Sequence, residues 1–263
     1  MTTTNLITQV DDRGVATLTM NRPELHNAFD DQLIDSMTAE LVRLDTDPVV
    51  RVVILAGSGR SFSAGADLSW MRRMAEYTRE ENLKDALGLA GLMKTLNSLS
   101  KPTIAMVQGA AYGGGVGLVA CCDMAIGSRR ASFCLSEVKL GLIPAVISPY
   151  VVAAIGQRAA RRYFQSAEVM DAAEAHRLGL LHQVVGEEEL EAAVEKLAAA
   201  LLKNGPASMA AAKDLVTLVS SAPLSGEMIV ATAERIATAR ASAEGREGLF
   251  AFFAKRDPAW VKG

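Results

Sequence analysis

The alternation of apolar and polar positions starts near the N-terminus. Leu6 to Val10 and Val15 to Met20 carry β-branched residues in period-two order, and Asp11-Asp12-Arg13-Gly14 between them has turn chemistry, so a β-hairpin is predicted. Helical spacing follows: Leu33, Ile34, Met37, Leu41 and Leu44 fall on one face, with Asp30 placed to cap the helix and Asp47-Pro48 to stop it. Arg51 to Ala56 is almost wholly apolar, the pattern of a strand covered on both faces, and it runs into a glycine- and serine-rich loop from Gly57 to Ala66. The same order then repeats. A helical stretch from about Glu80 to Leu99 and the punctuation Lys101-Pro102 lead to a strand at Thr103 to Val107 and a second glycine-rich segment at Gly109 to Gly117. Asp123 to Ile126 and Ala131 to Leu135 are predicted as further short strands. From about Pro149 the pattern turns helical, with alanine-rich stretches at Glu188 to Leu202, Pro206 to Val219, Gly226 to Ala241 and Glu244 to Ala254, and one strand at His182 to Val185. The first two-thirds therefore reads as α/β. The helical remainder should pack on that core or on a neighbouring subunit, because no flexible linker intervenes.

Composition narrows the chemistry. Half of the 263 residues are hydrophobic and only 5% aromatic, so the core is aliphatic. A net charge of -3 gives no basic field for nucleic acid. Cys121 and Cys122 are adjacent, Cys134 stands alone, and the three histidines are scattered, so neither a metal site nor a disulfide framework is expected. The N-terminal stretch lacks the charge and apolar run of an export signal, and no apolar segment reaches membrane-spanning length; a reduced cytoplasmic protein is expected.

Two glycine-rich loops after two apolar strands place backbone N–H groups where a chain leaves a sheet, the usual position of a ligand site in α/β proteins. No Gly-Lys-Ser, Gly-Lys-Thr, GxGxxG or GxSxG pattern occurs in them, so neither nucleotide-phosphate binding nor a hydrolase elbow is indicated. Ala66 and Gly114 could each aim a main-chain N–H at one oxygen; equally, the surrounding glycines could serve only turns and close packing. Spacing alone leaves both open.

Four motifs in order carry a resemblance. Asn21-Arg-Pro-Glu-Leu-His-Asn-Ala28, Phe62-Ser-Ala-Gly-Ala-Asp-Leu68, Gly109-Ala-Ala-Tyr-Gly-Gly-Gly-Val-Gly-Leu118 with Asp123, and Ser136-Glu-Val-Lys-Leu-Gly-Leu-Ile-Pro144 resemble the crotonase, or enoyl-CoA hydratase/isomerase, family from about residue 15 to residue 185. The resemblance implies a crotonase-like α/β spiral of ββα repeats over residues 1–195 and a helical C-terminal trimerisation region over 196–263. It further implies a homotrimer or dimer of trimers, an acyl-CoA thioester as substrate, and no cofactor beyond the coenzyme A that the substrate brings. By the same match, Ala66 and Gly114 donate to the thioester oxygen. Ala64, Gly65, Asp67 and Leu68 line one side of the coenzyme A path, Leu25, His26 and Ala28 the other, with Gly113 beside Gly114. Phe252 and Lys255, three residues apart on one predicted helix face, match positions that approach adenine and phosphate from a neighbouring subunit.

The carboxylates bear on the reaction. Many hydratases of the family carry two glutamates, but the first of those positions is Gly117 here and only the second, Glu137, is acidic. One carboxylate suits hydration of a 2-enoyl-CoA or a 3,2-enoyl-CoA isomerisation. The strings His26-Asn-Ala-Phe-Asp30 and Leu135 to Tyr150 are similar to bacterial hydratases of branched, carboxylated enoyl-CoAs, methylglutaconyl-CoA and carboxygeranoyl-CoA, which favours hydration. A distal carboxylate would want a cation such as Arg72, Arg73 or Lys139 near the acyl group. A non-catalytic protein binding CoA thioesters or RNA is the other class of reading, and the acidic charge speaks against RNA. His176 and His182 are expected to be structural, and the pairs Arg72-Arg73, Arg129-Arg130 and Arg161-Arg162 to be solvated.

Overall fold

The computed structural model describes residues 4–261. Its main sheet has six strands, β1 (Leu6–Val10), β2 (Val15–Met20), β3 (Val52–Gly57), β4 (Thr103–Val107), β6 (Met124–Ser128) and β9 (Gln183–Val185), in that spatial order. Only β1 and β2 pair antiparallel, as the predicted hairpin, and every other neighbour is parallel. Asp11 shapes the turn by accepting from the backbone N–H groups of Arg13 and Val15 (both 2.9 Å), and Gly14 takes a positive φ of 91° there. A second sheet orders β5 (Ala110–Tyr112), β7 (Ser132–Cys134) and β8 (Met170–Asp171).

The helix α1 (Asp31–Thr46) starts where Asp30 accepts from Leu33 N–H (2.9 Å), and the five residues expected on its inner face are the five that are buried. Each such burial is worth roughly 1.5–3 kcal/mol. The run in β3 is apolar throughout because both faces are covered. Val53 and Leu55 join Leu33, Met37 and Leu41 of α1 and Leu92 and Leu96 of α3 (Arg79–Ser98); Val52 and Ile54 face Leu190, Val194 and Ala198 of α7 (Leu190–Leu202). Thr78 and Glu81 cap α3 reciprocally. The second spiral turn departs from a full ββα unit: after β3 the chain makes only single parallel bridges, Ser63 with Ala111 and Phe29 with Ala66.

The glycine-rich segment Gly109 to Gly117, expected as a loop, contains β5 and the start of the buried helix α4 (Gly114–Cys121). Two elements were not expected at all, α2 (Leu68–Met74) and the two-residue β8. The chain continues through α5 (Ser148–Ser166), bent at Gly156, and α6 (Ala172–Leu178). After α7 the tail forms α8 (Pro206–Ser221), α9 (Gly226–Ala241) and α10 (Ala243–Ala254). A boundary at residue 195 falls inside α7, which belongs to the core because its apolar face covers the sheet. Two ties dock the tail: Lys213 pairs with Asp123 (3.0 Å), and Arg51 donates to the carbonyls of Asn204 (2.9 Å) and Trp260 (3.1 Å). Among the described residues no helix is long and apolar enough to cross a membrane, and no group of three His, Cys, Asp or Glu is placed to hold a metal.

Candidate active site

Both expected oxyanion donors follow a glycine in the left-handed region. Gly65 (φ 85°) precedes Ala66, and Gly113 (φ 49°) precedes Gly114; an L side chain would strain either turn. The bridge to Phe29 is made by Gly65 C=O, which accepts from Phe29 N–H (2.8 Å), and by Asp67 N–H, which donates to Phe29 C=O (3.0 Å), so Ala66 N–H points to the other side. Gly114 is the first residue of α4, where helix geometry leaves N–H groups without an internal partner and the helix dipole adds positive potential. Among the described residues neither Ala66 N–H nor Gly114 N–H donates to a protein acceptor. Both residues line one cavity of about 620 Å³ together with Glu137.

Arg22 holds this geometry. Its guanidinium is buried and reaches Asp30 and Asp67, the caps of α1 and α2 (3.1 Å each), and donates to Ala28 C=O (2.7 Å). Asp67, expected along the coenzyme A path, therefore turns its carboxylate inward: besides Arg22 it accepts from Ser69 N–H (2.7 Å) and Trp70 N–H (3.3 Å). Burial works against its ionisation, but those backbone donors and Arg22 prevail and hold its pKa below the ordinary value. Ala28 is likewise buried, with its carbonyl bonded to Arg22.

Glu137 opens a short 3-10 turn after β7, closed by Gly141 at positive φ. Its Oε2 is buried and has no hydrogen-bond partner among the described residues. A methyl group built on Gly113 would lie 3.3 Å from Oε1, so the carboxyl sits against the residue that precedes the Gly114 donor. Burial pushes its pKa above the ordinary carboxylate value. A buried carboxylate oxygen without a partner costs stability, and Glu137 is also one of the residues lining the cavity, a combination characteristic of a group held for chemistry.

Gly117 is buried inside α4, and its lack of a side chain has a local cause. A methyl group there would lie 2.2 Å from Cγ2 of Ile147 and 3.2 Å from Cε of Met93, so Ile147 fills the space a second glutamate would need. Gly117→Glu is expected to destabilise the fold by at least about 2 kcal/mol through overpacking and burial of a charge, and pairing it with Ile147→Ala should recover part of that loss. Urea unfolding of the single and double variants checks this.

Of the other expected site residues, Gly65, Gly113 and Ala64 line the cavity, while Leu25, His26 and Leu68 form an exposed strip in the two segments that the hydrogen bond from Ala64 N–H to His26 C=O (2.9 Å) joins. Phe252 and Lys255, expected to act on a neighbouring subunit's site, are not among the residues lining this chain's own cavity. Phe252 is 76% exposed on α10, and Lys255, expected on the same helix face, lies past the helix end in the left-handed conformation. Arg72, Arg73 and Lys139 are absent from the cavity lining, and Arg73 pairs with Asp31 (2.6 Å). His182 Nδ1 accepts from Ala125 N–H (3.0 Å), and His176 Nδ1 lies 2.9 Å from Leu181 C=O. The three cysteines are buried, and burial raises their thiol pKa values. The sequence reading missed Asp85, a second carboxylate in the lining, and Trp70, which holds it.

A ββα spiral whose free Ala66 and Gly114 N–H groups line one cavity with Glu137 is the architecture of the crotonase class. The chain belongs to the enoyl-CoA hydratase/isomerase family, whose model matches residues 11–263. A crystal structure of an enoyl-CoA hydratase from Shewanella pealeana is 47% identical, covers 98% of this chain and 96% of its own, and superposes with a TM-score of 0.95. Crotonyl-CoA hydratase of Syntrophomonas wolfei is 31% identical over 96% of each chain. An isomerase, 1,2-epoxyphenylacetyl-CoA isomerase of Escherichia coli, is 32% identical over 94% of this chain and 95% of its own.

Proposed function

We propose that the protein hydrates the 2,3 double bond of an enoyl-CoA thioester. The observation that carries this reading is that Ala66 and Gly114, whose N–H groups have no protein acceptor among the described residues, line one cavity with the half-buried Glu137. The thioester oxygen sits between the two donors. Ionised Glu137 takes a proton from water as that water attacks C3, negative charge develops on the thioester oxygen, and the proton held by Glu137 passes to C2. Branching of the acyl chain fits the apolar walls formed by Met71, Met74, Leu89, Val146 and Ile147. A distal carboxylate finds no Arg or Lys among the lining residues. Exposed Phe250, Phe252 and Phe253 on α10, together with Ile229, Val230 and Ile236 on α9, support assembly as a homotrimer or dimer of trimers, which light scattering on the purified protein measures.

Isomerisation is the second reading, favoured by the filled space at Gly117: one carboxylate moves a proton between C4 and C2 without water. Incubation with 2-enoyl- and 3-enoyl-CoAs separates the two. Water gain on the 2-enoyl-CoA supports hydration, a mass-neutral shift of the 3-enoyl-CoA supports isomerisation, and turnover of neither supports a binding protein.

The pH dependence has a definite sign. Glu137 must be ionised to act as base, and burial raises its pKa, so hydration should decline with falling pH at a point above the ordinary carboxylate value of about 4.3. The same shift makes the charged carboxylate a burden on the fold: its contribution to stability is full below the unfolded-state pKa and is lost as pH rises through the folded one. Glu137→Gln should therefore be more stable than wild type by about 1 kcal/mol near pH 8, with the gap closing below the unfolded-state pKa, as thermal unfolding at several pH values reads.

A further inference from the structure

One end of the cavity carries chemistry that hydration does not use. The Phe29 ring packs on Gly114, and Trp70 follows at 6.4 Å between ring centroids. The indole Nε1–H of Trp70 donates to Oδ1 of Asp85 (2.9 Å). Asp85 thus lines the cavity two aromatic rings away from the Gly114 donor, and its Oδ2 has no hydrogen-bond partner among the described residues. The neighbouring polar group in the lining, Asn82, gives its amide hydrogens to the carbonyls of Tyr77 and Thr78 (3.1 Å each), which leaves its carbonyl oxygen.

Asp85 accepts only from Trp70 and Asn82 only donates, so both polar groups at this end keep acceptor capacity that no further protein donor takes up among the described residues. A hydrocarbon chain entering here would strip water from Asp85 and return nothing, whereas a donor on the chain would restore the lost hydrogen bond. The nearby cation does not meet that need from the protein side, because Arg73 is engaged by Asp31 (2.6 Å) and is not in the lining.

Building on the hydratase reading, we propose that Asp85 determines specificity by pairing with a hydrogen-bond donor carried on the acyl chain away from the thioester. The substrate class is then an enoyl-CoA with a polar distal group. A hydroxyl supplies the donor directly. A carboxyl group supplies it by sharing one proton with Asp85, and burial, which raises the Asp85 pKa, keeps that proton available at higher pH than an ordinary aspartate would. Trp70 is the positioning residue, because its indole N–H fixes which oxygen of Asp85 remains for the substrate.

The test compares hydrocarbon, distal-hydroxy and distal-carboxy 2-enoyl-CoAs of matched length. Wild type should prefer at least one polar chain over the hydrocarbon by about 10–100-fold in kcat/KM, the scale of a hydrogen bond to a charged group. In Asp85→Ala that ratio should collapse toward one. The near-isosteric Asp85→Asn turns its one carbonyl oxygen to Trp70 Nε1–H and presents an amide donor in place of Oδ2, to which a distal carboxylate accepts without sharing a proton. For the carboxy chain, KM should rise with pH in wild type and stay level in Asp85→Asn. Calorimetry with the corresponding saturated acyl-CoAs repeats the comparison without chemistry. A hydrocarbon chain bound and turned over as well as both polar chains, or a ratio that Asp85→Ala leaves unchanged, overturns the proposal. Discrimination in binding without hydration of any 2-enoyl-CoA instead overturns the hydratase reading and upholds the Asp85 contact.

Discussion

Replacing Glu137 by Gln is expected to lower kcat for hydration about 10²–10⁴-fold while KM for the thioester moves little. The size of the effect follows from the isolation of the carboxyl. Ile147 occupies the space at Gly117, so no neighbouring carboxylate is placed to take over the proton. Asp85, the other carboxylate in the lining, is tied to Trp70 Nε1–H at 2.9 Å and lies beyond the Phe29 ring. The Gln variant keeps nearly the same shape and the backbone donors, so it should still bind the thioester. Steady-state kinetics separates the loss in kcat from any change in KM.

A second large effect is expected at Gly114. A methyl group there would lie 2.3 Å from Cζ of Phe29, so Gly114→Ala must displace either the ring or the start of α4 that presents the N–H. Loss of one donor to a developing oxyanion costs about 10²–10³ in kcat. The mechanism is steric, and that makes it testable by compensation: Phe29→Leu frees space beside Gly114, so the double variant should recover part of the activity lost in Gly114→Ala. Kinetics on the two single variants and the double variant gives the coupling directly. Additive losses would show that Phe29 does not transmit the effect.

Much of the fold is readable from side-chain periodicity, and the places where reading fails share a cause. The α1 face could be read because its five inner residues bury against the sheet at helical spacing, and α9 because its alanine-rich stretch, Gly226–Ala241, coincides with the helix. The helix α4 was hidden because Gly114, Gly115 and Gly117 look like loop residues. They are glycines because Phe29, Ser63 and Ile147 pack against their Cα atoms, a tertiary demand that overrides low helix propensity. The helix α2 was hidden because Leu68 is 72% exposed and only Trp70 is buried, which leaves no apolar stripe to detect.

The site shows the same division. Ala66 and Gly114 came from the family motifs, although a local physical signal was present, since each follows a glycine held at positive φ. Asp85 gave no signal, being one charge in the mixed run from Arg79 to Asp85, and only folding brings it to the indole of Trp70. The inward turn of Asp67 was also hidden, because its partner Arg22 lies 45 residues earlier.

Hydration by two backbone donors and Glu137 leaves a direct chemical trace, the oxygen of water on C3 of the product. The most direct test is reaction with crotonyl-CoA in oxygen-18 water, followed by mass spectrometry of the product, for wild type and Glu137→Gln side by side. Wild type should form a 3-hydroxyacyl-CoA heavier by one labelled water, and the Gln variant should form it at least about a hundredfold more slowly. A wild-type product without the label, or undiminished labelling by the Gln variant, would contradict that mechanism.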